Sequence, residues 1–154
     1  MLPKTNLSHK DYALVAAKLT LIEFDWFAID KLGQVAVFSS VTSGYIPEKV
    51  FSSYETFAGL TSLLNALPRF ANVQIVTKEL GGMDLWLEWA QRGLYAYDYI
   101  DVHRTMKFDR YDLIAVPEQP LLKKVIAQIE QFKEVIPTFN LIFSSDIQFS
   151  QLIK

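Results

Sequence analysis

At 154 residues the chain is expected to form one globular domain, with residues 1–7 as a loose N-terminal tail, and it is long enough to bury a sizeable core. Hydrophobic residues make up 51% and charged residues 21%, which excludes disorder as the main state, and a net charge of −2 argues against general nucleic-acid binding, which needs a basic surface to displace counterions from phosphates. With no cysteine, the chain can build no disulfide, thiolate zinc site, iron–sulfur cluster or cysteine nucleophile of its own. Near the N-terminus the apolar stretch runs only from Ala13 to Ala17 before Lys18 interrupts it, which is too short for the core of a signal peptide. No run approaches the roughly 18 apolar residues of a membrane span. The expectation is a soluble cytoplasmic protein with no membrane partner.

Taken in order, Ser8 with Asp11 three residues on is a helix-start signal, and Tyr12, Val15, Ala16 and Leu19 repeat at helical spacing over His9–Leu19. Two apolar runs then flank Asp30-Lys31-Leu32-Gly33, where Gly33 can close a short hairpin loop. The predicted strands are Phe24–Asp30 and Gln34–Ser39. Both faces of the first are apolar, so the hairpin belongs inside a larger sheet. Val41–Ile46 is a loop. Pro47 suits a helix start, and Val50, Phe51, Tyr54, Phe57, Ala58, Thr61 and Leu64 extend the period to Leu67, before Pro68.

A short strand is expected at Asn72–Lys78, a break at Gly81-Gly82, and a helix of about three turns from Met83, with Gly93 just past its end. Arg92 in its last turn complements the helix dipole. Leu94–Ile100 reads as a strand with Tyr95, Tyr97 and Tyr99 on one face; Asp101–Met106 reads as a turn and Lys107–Val116 as the next strand. Pro120 opens a helix carrying Leu122, Val125, Ile126, Ile129 and Phe132, which stops before Pro137. Alternating Phe139, Leu141, Phe143, Ile147 and Phe149 predict a closing strand. The order α-ββ-α-β-α-ββ-α-β, with hairpins outnumbering crossovers, implies an α+β fold: a mostly antiparallel sheet with helices on its faces or ends.

The polar residues offer two clusters. Asp98, Asp101, His103 and Arg104 combine carboxylates with an imidazole, the residue types of divalent-metal sites and acid–base catalysis. The plainer account is a surface turn with ordinary ion pairs. Glu23, Asp25 and Asp30 surround Trp26, and paired carboxylates hydrolyse glycosides at the right separation. Asp30 more simply starts the hairpin turn by accepting nearby backbone N–H groups. Asp25, among apolar neighbours, needs a partner if buried. No nucleophile elbow, phosphate loop, dinucleotide fingerprint or zinc-protease motif is present in the sequence, and no catalytic residue, metal or cofactor is assigned. Of the 11 Phe, 7 Tyr and 3 Trp, most Phe are accounted for by core stripes, while Trp26, Trp86, Trp89 and the Tyr95/Tyr97/Tyr99 face are alternatively a contact surface.

Two blocks carry a family resemblance. DWFAIDKLGQVAVFSS (Asp25–Ser40) is followed by a glycine-containing loop and Ile46-Pro47; GLYAYDY (Gly93–Tyr99) is followed by YDLIAVPEQPL (Tyr111–Leu121). Together they resemble a poorly characterised group of bacterial proteins with a DWFA-D-x-G hairpin and a GLYAYD second half, whose members look like the immunity proteins of polymorphic toxin systems. The loop after the hairpin departs from that pattern, with Gly44 alone where more glycines are usual. The resemblance implies a small cytoplasmic protein that inhibits a cognate toxin by binding it, and it carries over no catalytic residue. The expected function is therefore a non-enzymatic protein-binding module, with Asp25, Trp26, Asp30, Tyr97, Asp98, Asp101 and His103 as candidate contacts and acidic groups complementing a basic toxin cleft. The alternatives are a small enzyme or ligand-binding domain with a pocket between sheet and helices lined by Trp26, Tyr97 and Asp98, and a homo-oligomer associating through the same aromatic surface.

Overall fold

The hairpin forms where the turn signal places it, with β1 at Phe24–Ile29 and β2 at Val35–Ser40. Gly33 has φ +82°, and its N–H donates to the Asp30 carbonyl at 3.0 Å, closing the loop. These coordinates come from a computed structural model that describes residues 7–20, 22–40, 44–76, 84–99 and 109–153. Helix α1 (His9–Ala16) is capped by the Ser8 hydroxyl, which accepts from the Asp11 N–H at 3.0 Å. It ends three residues earlier than its apolar stripe suggests, because Lys18 turns left-handed at φ +58°.

The long helix predicted from Pro47 is two elements. A 3₁₀ turn at Glu48–Phe51 is followed by α2 (Tyr54–Asn65), because Ser53 is extended and its hydroxyl caps a new start by accepting from Thr56 N–H. Then come β3 (Val73–Ile75), α3 (Asp84–Gln91), β4 (Tyr95–Asp98), β5 (Arg110–Pro117), α4 (Lys123–Ile129) and β6 (Ile147–Gln148). Gly93 takes φ +97° past the end of α3, and a Cβ there would lie 2.9 Å from the Leu121 backbone nitrogen. Both constraints favour glycine.

The predicted class and element order hold: among the described residues, four α-helices and a six-stranded, mostly antiparallel sheet make an α+β fold. Strand order is β1-β2-β4-β5-β3, with β6 also pairing β5, and the β2–β4 pair is parallel. Much of the predicted closing strand is instead a strap. The Ile29 N–H donates to Pro137 O, Phe139 N–H to Ile29 O and Lys31 N–H to Leu141 O, so residues 137–141 run along the outer edge of β1 and cover it.

Residues opposite one another across a ladder point to the same face. One face carries Trp26, Phe38, Tyr97 and Leu113 and is covered by Phe139, Phe143 and Phe149 of the C-terminal segment. The other carries Phe27, Val37 and Ala96 and is covered by α2 and α3, with Phe27 meeting Phe57 and Trp89. A bulge in the β4–β5 ladder adds one residue between Leu113 and Ala115. It resets the phase of β5 relative to β4.

Candidate functional site

Three of the residues singled out from the sequence lie in the core. Trp26 and Tyr97 have no exposed surface and Asp30 has 1%. The Trp26 ring stacks on Phe38 at 4.4 Å and Phe38 stacks on Tyr97 at 4.8 Å, leaving no space between them. The Trp26 Nε1–H donates to the Tyr111 hydroxyl at 3.2 Å, and Tyr111 donates to the Tyr45 carbonyl at 2.7 Å. Tyr97 donates to the Ser145 carbonyl at 2.9 Å. Burial raises the pKa of both phenols, so they stay protonated as donors. The Asp30 carboxylate accepts four hydrogen bonds: from Leu32 N–H and Gln34 N–H, from Gln34 Nε2, and from Phe143 N–H. These three side chains hold the fold together and offer no surface to a partner.

Asp25 and Asp98 meet in a row the sequence did not reveal. The registers Asp25↔Ser39, Ser39↔Asp98 and Asp98↔Asp112 align four polar side chains across β1, β2, β4 and β5, on the helix-covered face. The bulge brings Asp112 into that row, since an unbroken ladder would set Leu113 opposite Asp98. Arg110 Nε donates to Asp112 Oδ1 at 2.8 Å. The Asp25 carboxylate oxygens and the Ser39 hydroxyl are buried, and Asp98 is half-buried. Tyr97 and Asp98 point to opposite faces, so the expected pocket lined by Trp26, Tyr97 and Asp98 between sheet and helices does not form. Asp101 and His103 lie outside the described residues. Among the described residues no three His, Asp or Glu side chains are placed to hold a metal ion. Ser39, Arg110 and Asp112 carry no motif; the β2–β4 and β4–β5 pairings, with the bulge, assemble them.

Exposed apolar surface gathers elsewhere. A groove of about 630 Å³ lies on the aromatic face, between the hairpin loop, β3 and the C-terminal segment. Its floor is Tyr95, Leu113 and Val116, and Leu32, Val76 and Ile142 flank it with 63, 49 and 40% of their surface exposed. Gln34, Gln74 and Asp146 supply polar groups at its margin. The Tyr95 hydroxyl donates to Gln34 Oε1 at 2.7 Å. Asp146 Oδ1 accepts the Leu113 N–H at 2.8 Å, filling the gap between the stretches of β5 that pair with β6 and with β3. Beyond β3 there is no further strand among the described residues. This groove combines an aliphatic surface with a polar margin, the composition of a protein contact patch. Compared with protein families, with curated proteins and with solved structures, the chain has no significant match.

Proposed function

We propose that this chain is a non-enzymatic protein-binding module of the immunity type, which inhibits a cognate toxin by direct contact through the groove beside β3. The observation that carries the reading is the grouping of Leu32, Val76 and Ile142, exposed together around a concave apolar floor at the margin of the sheet. Scattered exposed aliphatics are ordinary, whereas a concave cluster with a polar margin removes water when a complementary side chain enters. The two-block resemblance supplies the class of partner. Trp26, Tyr97 and Asp30 serve this function indirectly, by holding the hairpin and the C-terminal segment on either side of the groove. The acidic row contributes to the long-range potential that a basic partner would meet, and the groove makes the contact.

The test is purification of the tagged protein from its native host, followed by expression of any stoichiometric partner alone and together with this chain. The expected result is a partner that arrests growth alone and is harmless in co-expression. Leu32→Lys and Ile142→Lys place charges in the groove at exposed positions, and each should weaken the complex about 30-fold, the loss of roughly 2 kcal/mol typical of a central contact. A protective complex indifferent to both charges would remove the groove from the reading. A partner whose toxicity is unrelieved would remove the immunity assignment.

A further inference from the structure

A second cavity, of about 520 Å³, lies where the end of α1 meets the start of β5 and the C-terminal segment. Its lining includes Lys18, Tyr45, Asp109, Gln148, Phe149 and Ser150. Tyr45 and Phe149 form an aromatic floor with ring centroids 6.2 Å apart. Lys18 and Asp109 bring one charge of each sign, and among the described residues neither is joined to an opposite charge. The Asp109 backbone is held in place, because its carbonyl accepts the Phe149 N–H at 2.8 Å.

Lys18 is the unusual member. It stands at φ +58°, one residue past the helix cap Ala17, a position that glycine ordinarily fills. A lysine at a backbone angle that favours glycine costs conformational energy, and such positions concentrate at functional sites. We infer that this cavity binds a small zwitterion, an α-amino acid or dipeptide with an aromatic or apolar side chain. The ligand carboxylate pairs with Lys18, its ammonium with Asp109, and its side chain lies on the Tyr45–Phe149 floor. A simple anion or cation is attracted by one of these two charges and repelled by the other, whereas a zwitterion gains from both. The hydroxyl of Ser150 and the amide of Gln148 add neutral donors and acceptors.

The experiment is an NMR titration of the full chain at neutral pH and constant ionic strength. Four probes are used: L-phenylalanine, glycyl-L-phenylalanine, phenylacetate and phenethylamine. The expected result is a saturable shift of the Gly44, Tyr45, Phe149 and Ser150 amide signals by at least one zwitterion. Its half-saturation should lie about tenfold or more below that of either singly charged probe. The order of the two zwitterions separates a free amino acid from a peptide as the ligand. Lys18→Gly removes the cation and relieves the backbone, so it folds; it should abolish the advantage of the zwitterion over phenethylamine. Asp109→Asn, at an exposed position, should abolish the advantage over phenylacetate. Half-saturation of all four probes within about twofold, no saturable shift, or an advantage that survives Lys18→Gly would each overturn the inference. None of these outcomes bears on toxin binding at the groove.

Discussion

Asp30 lies 113 residues from Phe143 in the chain, yet its Oδ2 accepts the Phe143 N–H at 3.0 Å while Oδ1 closes the hairpin turn. One carboxylate therefore sets the turn and fastens the C-terminal segment to it. Asp30→Ala leaves the buried Phe143 N–H and the turn N–H groups without their acceptor. Urea unfolding should register a loss of about 3 kcal/mol, within the range for several orphaned donors. A loss below about 1 kcal/mol would mean that water replaces the carboxylate at these positions. The local part of this role was legible in the sequence, because an Asp two residues before a Leu-Gly turn is a turn former. The distant part was not, since nothing near Phe143 marks its N–H as needing a carboxylate. Trp26 and Tyr97 teach the same lesson. Alternation showed which residues share a face, but both faces of the hairpin are apolar and composition alone did not say which cover each receives.

At the scale of elements, the helix and strand types were readable where periodicity was long, and the boundaries failed where a local cap competed with it. Ser53 starts α2 afresh although the apolar period runs on from Val50. Of the predicted closing strand only β6 pairs in a ladder; before it the segment is a strap, and Phe139, Phe143 and Phe149 lay their rings against the sheet face. The end of α1 is a further case and a measurable one. The Lys18 N–H donates to Val15 O and the Leu19 N–H to Leu14 O, the paired bonds of a Schellman ending, with Lys18 in the left-handed position. A side chain in that conformation costs about 1 kcal/mol or more, and attraction of its cation to the helix end offsets only part of that, about 0.3–1 kcal/mol. Lys18→Gly should therefore raise stability by about 0.5 kcal/mol in urea unfolding. A loss of stability would show that the charge matters more to the helix end than the backbone does. Gain of stability with loss of zwitterion binding would separate the two roles of this residue.

For the molecule as a whole, what the sequence could not give was strand adjacency: the acidic row and the groove both exist because β2 lies beside β4 and β3 beside β5. That arrangement also concentrates phenols inside. Burial is the largest cause of a raised pKa at Tyr12, which is pushed up to about 12, and at Tyr45, Tyr95, Tyr97 and Tyr111. An unfolded tyrosine loses its proton near pH 10, while the folded phenols hold theirs to higher pH. Above pH 10 the unfolded state thus binds fewer protons than the folded one, and stability falls as pH rises; below that the contribution is fully present. Each such tyrosine steepens the fall by about 1.4 kcal/mol per pH unit while its unfolded form is ionised and its folded form is not. Several acting together should make alkaline unfolding cooperative and confine it to a narrow interval above pH 10. The measurement is the melting temperature from pH 8 to 12, followed together with the ultraviolet absorbance of tyrosinate. Unfolding and the ionisation of these five phenols should coincide. Tyr97→Phe removes one titrating group and one hydrogen bond to Ser145, so it should lower stability at pH 8 by about 1 kcal/mol and flatten the slope above pH 10. Ionisation of Tyr97 or Tyr111 well below the unfolding transition would mean that the aromatic face is open to solvent, and the C-terminal segment would then be a cover that lifts from the sheet.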